Sequence, residues 1–358
     1  MKVMNKETEE YIQLLATSIE KQEPIVTPLS SSLQANKRCN SRCEYCGIWQ
    51  SDAKDPPVED LLLAVNQLAD LGVRMTSLTG GEPFLHSKLP QVIQQMDRRG
   101  ILSSTMTNGL MLNPNKLIPI LEAGLNSLCV SLDTIDPEIY RAIRGVPIDP
   151  VLNGLHYVSK IRNDFPSLVV FSINCVISKA NIQHLVPLIE FCSELNIKVG
   201  FQPLHNSFDS TYNPKELKFY EDDLALLNSQ IEILLKMKQQ GYPITSDNEY
   251  LLGFPDYLVY KRLPEGTNCT AGYTTIAIDT HLNVKSCWPM KPVGNLHTQT
   301  LKEIWTSNTY KQHRSAMLAL DCPGCWLRCH TEYLSVKWLN DLHALISKVK
   351  LGRQNTSP

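Results

Sequence analysis

Three cysteines between positions 39 and 46 constrain this chain more than any other stretch: Cys39-Asn-Ser-Arg-Cys43-Glu-Tyr-Cys46. The C-x3-C-x2-C spacing puts three thiols on one loop, just after an apparent strand at Ser31 to Gln34. Such a loop can wrap three corners of an iron–sulfur cube. A [4Fe–4S] cluster takes four ligands, so three cysteines leave one iron open to an outside molecule. Zinc is the other occupant of clustered thiols, but its sites usually use two C-x2-C pairs or cysteines with spaced histidines.

Lys plus Arg number 34 against 36 for Asp plus Glu, a net charge of -2. That balance gives no pull toward nucleic acid or acidic membranes. No apolar run approaches the ~20 residues that span a bilayer, and Met1 to Gln22 lacks a signal-peptide core. The expected location is the cytoplasm, with no nucleic-acid or membrane partner. In a reducing compartment the eleven cysteines point to metal or redox chemistry rather than disulfides. Cys129, Cys175 and Cys192 fall in apolar strand or helix patterns and read as core residues.

Residues 1–29 read as an N-terminal helical segment. From residue 30 to 205 strand, loop and helix alternate. Strands are expected at Ser31–Gln34, Met75–Thr79, Ile101–Thr107, Ser127–Leu132, Leu168–Ile177 and Ile197–Pro203. Helices are expected near Val58–Leu71, Lys88–Arg99, Asn115–Ala123 and Ile182–Leu195, with Asp136 and Pro137 opening another. This alternation predicts an α/β fold with right-handed βαβ units and a parallel sheet. Periodicity alone does not separate a barrel from a doubly wound open sheet. Residues 206–266 read as a helical linker with a long helix near Tyr220–Gln239, 267–333 as a small metal-organised domain, and 334–358 as a C-terminal helix and tail.

The cysteine spacing, with Tyr45 before the last thiol, resembles the signature of the radical S-adenosylmethionine (SAM) enzymes. The resemblance implies a partial (β/α)6, TIM-like barrel and a SAM-binding [4Fe–4S] cluster held by Cys39, Cys43 and Cys46. By the same resemblance, the open iron chelates the methionine end of SAM. One electron then cleaves the sulfonium, and a 5′-deoxyadenosyl radical takes a hydrogen atom from the substrate. A reducing partner such as flavodoxin or ferredoxin is implied.

Active sites of parallel α/β sheets lie at the carboxyl ends of the strands, and the other candidate residues end strands there. Gly80-Gly81-Glu82-Pro83 after strand two resembles the family's GGEP motif, with two glycines for close backbone approach to a ligand and a carboxylate on Glu82. Thr107, Asn108, Ser131 and Asp133 occupy positions that bind SAM ribose or methionine in relatives. Turn and capping chemistry is the competing reading for Thr107 and Asp133. Arg144 can pair with the SAM carboxylate or sit solvated at a helix end. Asn174 and Gln202 are candidate cavity residues, and His205 is a candidate substrate contact.

The second cysteine set is Cys269 and Cys287, bracketing an expected hairpin (Thr274–Ile278 and Asn283–Lys285), then Cys322, Cys325 and Cys329. Four thiolates suffice for a second, closed cluster. The set resembles the SPASM/Twitch extension of radical SAM enzymes. Five cysteines favour a single auxiliary [4Fe–4S] cluster on Cys269, Cys287, Cys322 and Cys325, with Cys329 a spare, an alternative ligand or a substrate-facing thiol; structural zinc is the rival occupant. Two substrate classes compete: a peptide or small-molecule natural-product precursor, and a sugar or aminocyclitol undergoing dehydrogenation. A zinc-stabilised binding protein with an inert barrel is the non-enzyme alternative.

Overall fold

A computed structural model describes residues 6–205, 215–322 and 324–328. Expectations for residues 1–5 and 206–214, for Cys329 and for the tail from 334 lie outside the described residues.

The first helix, α1 (Lys6–Lys21), precedes strand β1 (Ser30–Asn36). There follow α2 (Val58–Leu71), β2 (Met75–Gly80), α3 (Leu89–Arg98), β3 (Leu102–Thr107), α4 (Pro114–Glu122) and β4 (Ser127–Ser131). Two helices, α5 (Pro137–Arg144) and α6 (Asp149–Ile161), lead to β5 (Val170–Ile177), α7 (Leu185–Glu194) and β6 (Lys198–Pro203). Caps lie where the side chains demand them: Asp136 accepts from the amides of Glu138 and Ile139, and Pro137 opens α5.

All neighbours from β1 to β6 are parallel and in sequence order. A doubly wound sheet reverses its strand order at a switch point; this one does not. Repeated right-handed crossovers in one direction put every helix on the same face. The sheet therefore curls as a barrel arc, and β1 and β6 do not pair with each other. The free edge of β1 is instead taken by β7 (Thr275–Ile278), parallel, which continues antiparallel into β8 (Asn283–Lys285) and β9 (Gly294–Asn295).

The two faces are built from different residues. The convex face carries Leu33, Leu78, Leu128, Ile173, Val199 and Phe201, packed with Leu61, Leu68, Ile93, Leu155 and Leu188 of the helices into one large core. Full burial of such side chains stabilises by about 1.5–3 kcal/mol each. The alternate positions face the concave side and include a row of hydroxyls: Ser32, Ser77, Ser104 and Ser127 lie opposite one another across four adjacent strands. At the strand starts, Met75, Leu102 and Tyr273 pack with Tyr11 and Leu15 of α1, closing the amino-terminal end of the arc.

After β6 come α8 (Leu224–Gln239), α9 (Asn248–Leu252), α10 (Phe254–Tyr260) and α11 (Ala271–Thr274), then after β9 α12 (Leu301–Trp305) and α13 (Asn308–Leu318). α12 starts with a capping box, Thr300 and Glu303 satisfying each other's backbone amides. Arg314 of α13 is 1% exposed, its guanidinium over the rings of Trp305, Tyr310 and Tyr273 and bonded to the carbonyls of Gly272 and Trp305.

Candidate active site

The loop from Cys39 to Cys46 leaves β1 at the carboxyl end of the sheet, and its neighbours clamp it from two sides. On one side, the amides of Gly81 and Glu82 donate to the carbonyls of Asn36 and Arg38 at 3.0 and 2.7 Å. A Cβ at Gly80 would overlap the Asn36 carbonyl oxygen, and one at Gly81 the Arg38 carbonyl oxygen. The two glycines thus make room for the chain's own backbone leading into Cys39, where the sequence suggested room for a ligand. On the other side, the amide of Arg42 donates to the carbonyl of Arg144 and that of Glu44 to Ile143. There a Cβ at Gly145, whose φ is +67°, would lie 2.8 Å from the Arg42 carbonyl oxygen.

Donors surround the thiols. The Ser41 amide lies 3.5 Å from Cys39 Sγ and the Ser41 hydroxyl 3.3 Å from Cys43 Sγ. Asn108 Nδ2 is 3.8 Å from Cys39 Sγ and Arg144 Nη1 3.8 Å from Cys43 Sγ. Burial pushes the Cys39 thiol up to about 11, so it needs a cationic occupant to release its proton. Three thiols on one loop, with N–H and O–H donors aimed at the sulfurs of Cys39 and Cys43, fit an iron–sulfur cluster, whose thiolates accept such bonds.

Glu82 differs from its expected role. Its carboxylate is fully buried and accepts from Phe84 N, Thr107 Oγ1 and Asn108 N at 3.0, 2.8 and 2.7 Å. Burial raises its pKa to about 7, opposed by those three bonds. Glu82 and Thr107 therefore face each other rather than the cavity, tying the loop after β2 to the end of β3. Asn108 donates to Asn40 Oδ1 at 2.7 Å, which adds a third tie to the cysteine loop. Ser131 ends β4 on the concave side, half-buried.

Asp133 and Arg144 form an ion pair at 2.7 Å with side chains 0% and 6% exposed. Asp133 also accepts from the Tyr45 hydroxyl and the Val176 amide, while Arg144 lies over the Tyr45 ring. Burial works against the Arg144 charge, and Asp133 with its neighbours more than offsets this, holding the guanidinium cationic. Arg144 is thus no solvated helix end, and its Nη2 is buried without a partner among the described residues. Sequence reasoning passed over Asn36, which donates to the Glu82 carbonyl at 2.8 Å, and also Ser41 and Gly145; of these only Ser41 lay inside a recognised motif. Asn174 faces the concave side opposite Gly200. His205 is buried and stacks on Tyr257.

Cys269, Cys287, Cys322 and Cys325 line one cavity, walled by Leu263, Pro289, Met290, Met317 and Leu320. Burial raises Cys269 to about 11 and Cys287 further, and the neighbouring thiols add to both. Four thiol donors lining one apolar cavity fit an iron–sulfur cluster, and a tetrahedral zinc takes the same number of ligands. Trp288, next to Cys287, donates from its indole nitrogen to Ser32 Oγ on the concave face at 3.1 Å.

Comparison with known proteins agrees with this architecture. Residues 34–192 match the family model of the radical SAM superfamily, and residues 269–330 that of SPASM, an iron–sulfur cluster-binding domain. Over 183 residues the chain is 32% identical to GTP 3′,8-cyclase of Staphylococcus haemolyticus, covering 47% of this chain and 52% of that protein. Over 301 residues it is 24% identical to Fe-coproporphyrin III synthase of Methanosarcina barkeri, covering 75% and 71%. The chain thus spans about half the length of the first of these relatives. Streptococcus suis SuiB superimposes with a TM-score of 0.68 at 18% identity, covering 93% of this chain and 79% of that one. The protein anSMEcpe with bound AdoMet gives 0.63 at 18%, covering 91% and 94%. At such identities the likeness is one of fold. The matches set aside an inert, zinc-stabilised binding protein, and no described helix is long and apolar enough to cross a membrane. The chain thus carries a region matching the radical SAM superfamily over residues 34–192 and one matching the iron–sulfur cluster-binding SPASM domain over residues 269–330.

Proposed function

We propose that Cys39, Cys43 and Cys46 ligate the SAM-binding cluster, and that Cys269, Cys287, Cys322 and Cys325 hold one auxiliary [4Fe–4S] cluster. The observation that carries this reading is the pair of thiol sets, one ringed by hydrogen-bond donors and the other enclosed by apolar side chains. Bound and reduced there, a cluster would supply the electron for cleavage of SAM to a 5′-deoxyadenosyl radical. The chain's own residues then bind and orient. Gly80, Gly81, Glu82 and Thr107 act by fixing the loop backbone that faces SAM. Asn108 and Ser131 contact its polar groups. Asp133 orients Arg144, whose unpartnered Nη2 takes the SAM carboxylate.

The substrate that would lose a hydrogen atom to this chemistry is a peptide or small-molecule natural-product precursor. Two solved structures of similar fold hold peptides, SuiB with its precursor peptide SuiA and anSMEcpe with a Cp18Cys peptide. A second reading, chemistry on a small molecule such as dehydrogenation of a sugar or aminocyclitol, is favoured by the hydroxyl-lined concave face and by curated relatives named for GTP and Fe-coproporphyrin III. The protein would work in the cytoplasm beside a flavodoxin- or ferredoxin-type reductant, where its cysteines stay reduced. Metal analysis of anaerobically isolated protein tests the cofactor reading. Roughly eight iron and eight sulfide per chain is the expected result, four per cube; colourless protein with stoichiometric zinc rejects it.

A further inference from the structure

The concave face of this barrel is unusual in what it lacks. The interior of a closed (β/α)8 barrel is packed with Val, Ile and Leu. Here Ser77, Ser104 and Ser127 form a half-buried row. In the next row Met106, in the middle of the sheet, remains 38% exposed beside Cys129. Small hydroxyl side chains leave an open, hydrogen-bonding space, and α1 closes its floor.

One cation reaches that space from outside the barrel. Arg328 follows Cys325 of the auxiliary set by three residues, yet its Nη1 would lie 3.2 Å from a Cβ on Gly200 of β6. The φ of Gly200 is not positive, so glycine there serves clearance rather than backbone conformation. The register places Gly200 opposite Asn174 and Asn174 opposite Ser131, in the layer nearest the candidate SAM site. The Arg328 charge also acts on Cys129 across the same face.

We propose that Arg328, admitted by Gly200, is a specificity residue that binds an anionic oxygen group, a carboxylate or a phosphate, on a polar substrate held in the barrel. The inference rests on the reading that the barrel takes the substrate. Arg328 bonds within the protein as well, and its five N–H donors let an oxyanion share the fork.

Cys129 is a built-in reporter. Among the described cysteines outside the two thiol sets it is half-buried, while Cys175 and Cys192 are fully buried. The rates of Cys129 alkylation by iodoacetate, an anion, and by neutral iodoacetamide are measured on anaerobic holoenzyme by peptide mass spectrometry. Taking their ratio cancels any change in thiol acidity. Arg328→Gln should lower the iodoacetate-to-iodoacetamide ratio by roughly three- to tenfold, the order of one unit charge acting across a partly solvated site. Arg328→Lys should keep most of it. Gly200→Ala, which pushes against the guanidinium, should lower it too and carries the test if Arg328→Gln fails to fold. Protection of Cys129 by inorganic pyrophosphate but not glutarate identifies phosphate as the group, and the reverse identifies carboxylate. An equal ratio in wild type and both Arg328→Gln and Gly200→Ala, or protection by neither anion, overturns the proposal. The ratio needs no turnover, so protein that shows it but leaves SAM intact would count against the proposed function alone.

Discussion

Arg144 donates through Nε to Asp133 at 2.7 Å while its Nη1 lies 3.8 Å from Cys43 Sγ, joining the end of α5 to the middle cysteine of the loop. The pair is buried, so removing one partner strands the other's charge. Asp133→Ala is expected to destabilise the protein by roughly 3–5 kcal/mol. Thermal or urea melts of Asp133→Ala, Arg144→Met and the double variant check this. The double variant should recover part of the loss; strictly additive losses would mean the two side chains act independently.

Gly81 is needed because the Arg38 carbonyl occupies the space a Cβ would fill. Gly81→Ala should shift the chain entering Cys39 and lower iron by roughly four per chain, leaving the auxiliary set loaded. Unchanged iron and visible absorption in this variant would show that the loop tolerates the methyl group.

Glu82 makes stability depend on pH. Its folded pKa of about 7 lies above the model-peptide value of 4.5, so between those values the folded chain holds a proton that the unfolded chain has released. Stability should therefore fall as pH rises from about 4.5 to 7 and level off above. The Glu82→Gln variant removes this titration, and the difference between the two denaturation profiles isolates it. A difference that is flat or rises across the window contradicts the buried carboxylate.

Much of the fold was legible in the sequence, and the misses have physical causes. α2 spans Val58–Leu71 as its apolar spacing indicates, and the six strands lie within a few residues of their expected bounds. α6 was hidden by Pro150 and Gly154, which read as punctuation; Pro150 in fact sits in its first turn, and Gly154 packs closely against Leu112. α13 was missed because one of its buried residues is Arg314, held among aromatic rings from three other positions in the chain. At the site, the cysteines and the Gly-Gly-Glu-Pro stretch were evident. The inward turn of Glu82 was not, because Thr107 and Asn108 come from the next strand and no local pattern records them.

The two thiol sets should fail differently. Cys322→Ala alters a side chain of the C-terminal cavity, and its expected effect is loss of substrate product with 5′-deoxyadenosine still formed. Equal loss of SAM cleavage in Cys322→Ala and Cys43→Ala would contradict that division.

The most direct measurement is 5′-deoxyadenosine release from SAM by anaerobically reconstituted, dithionite-reduced protein, followed by liquid chromatography and mass spectrometry. Wild type should form it and Cys43→Ala should form none. SAM left intact by the wild type, with or without candidate substrates, would contradict an open iron site at Cys39, Cys43 and Cys46.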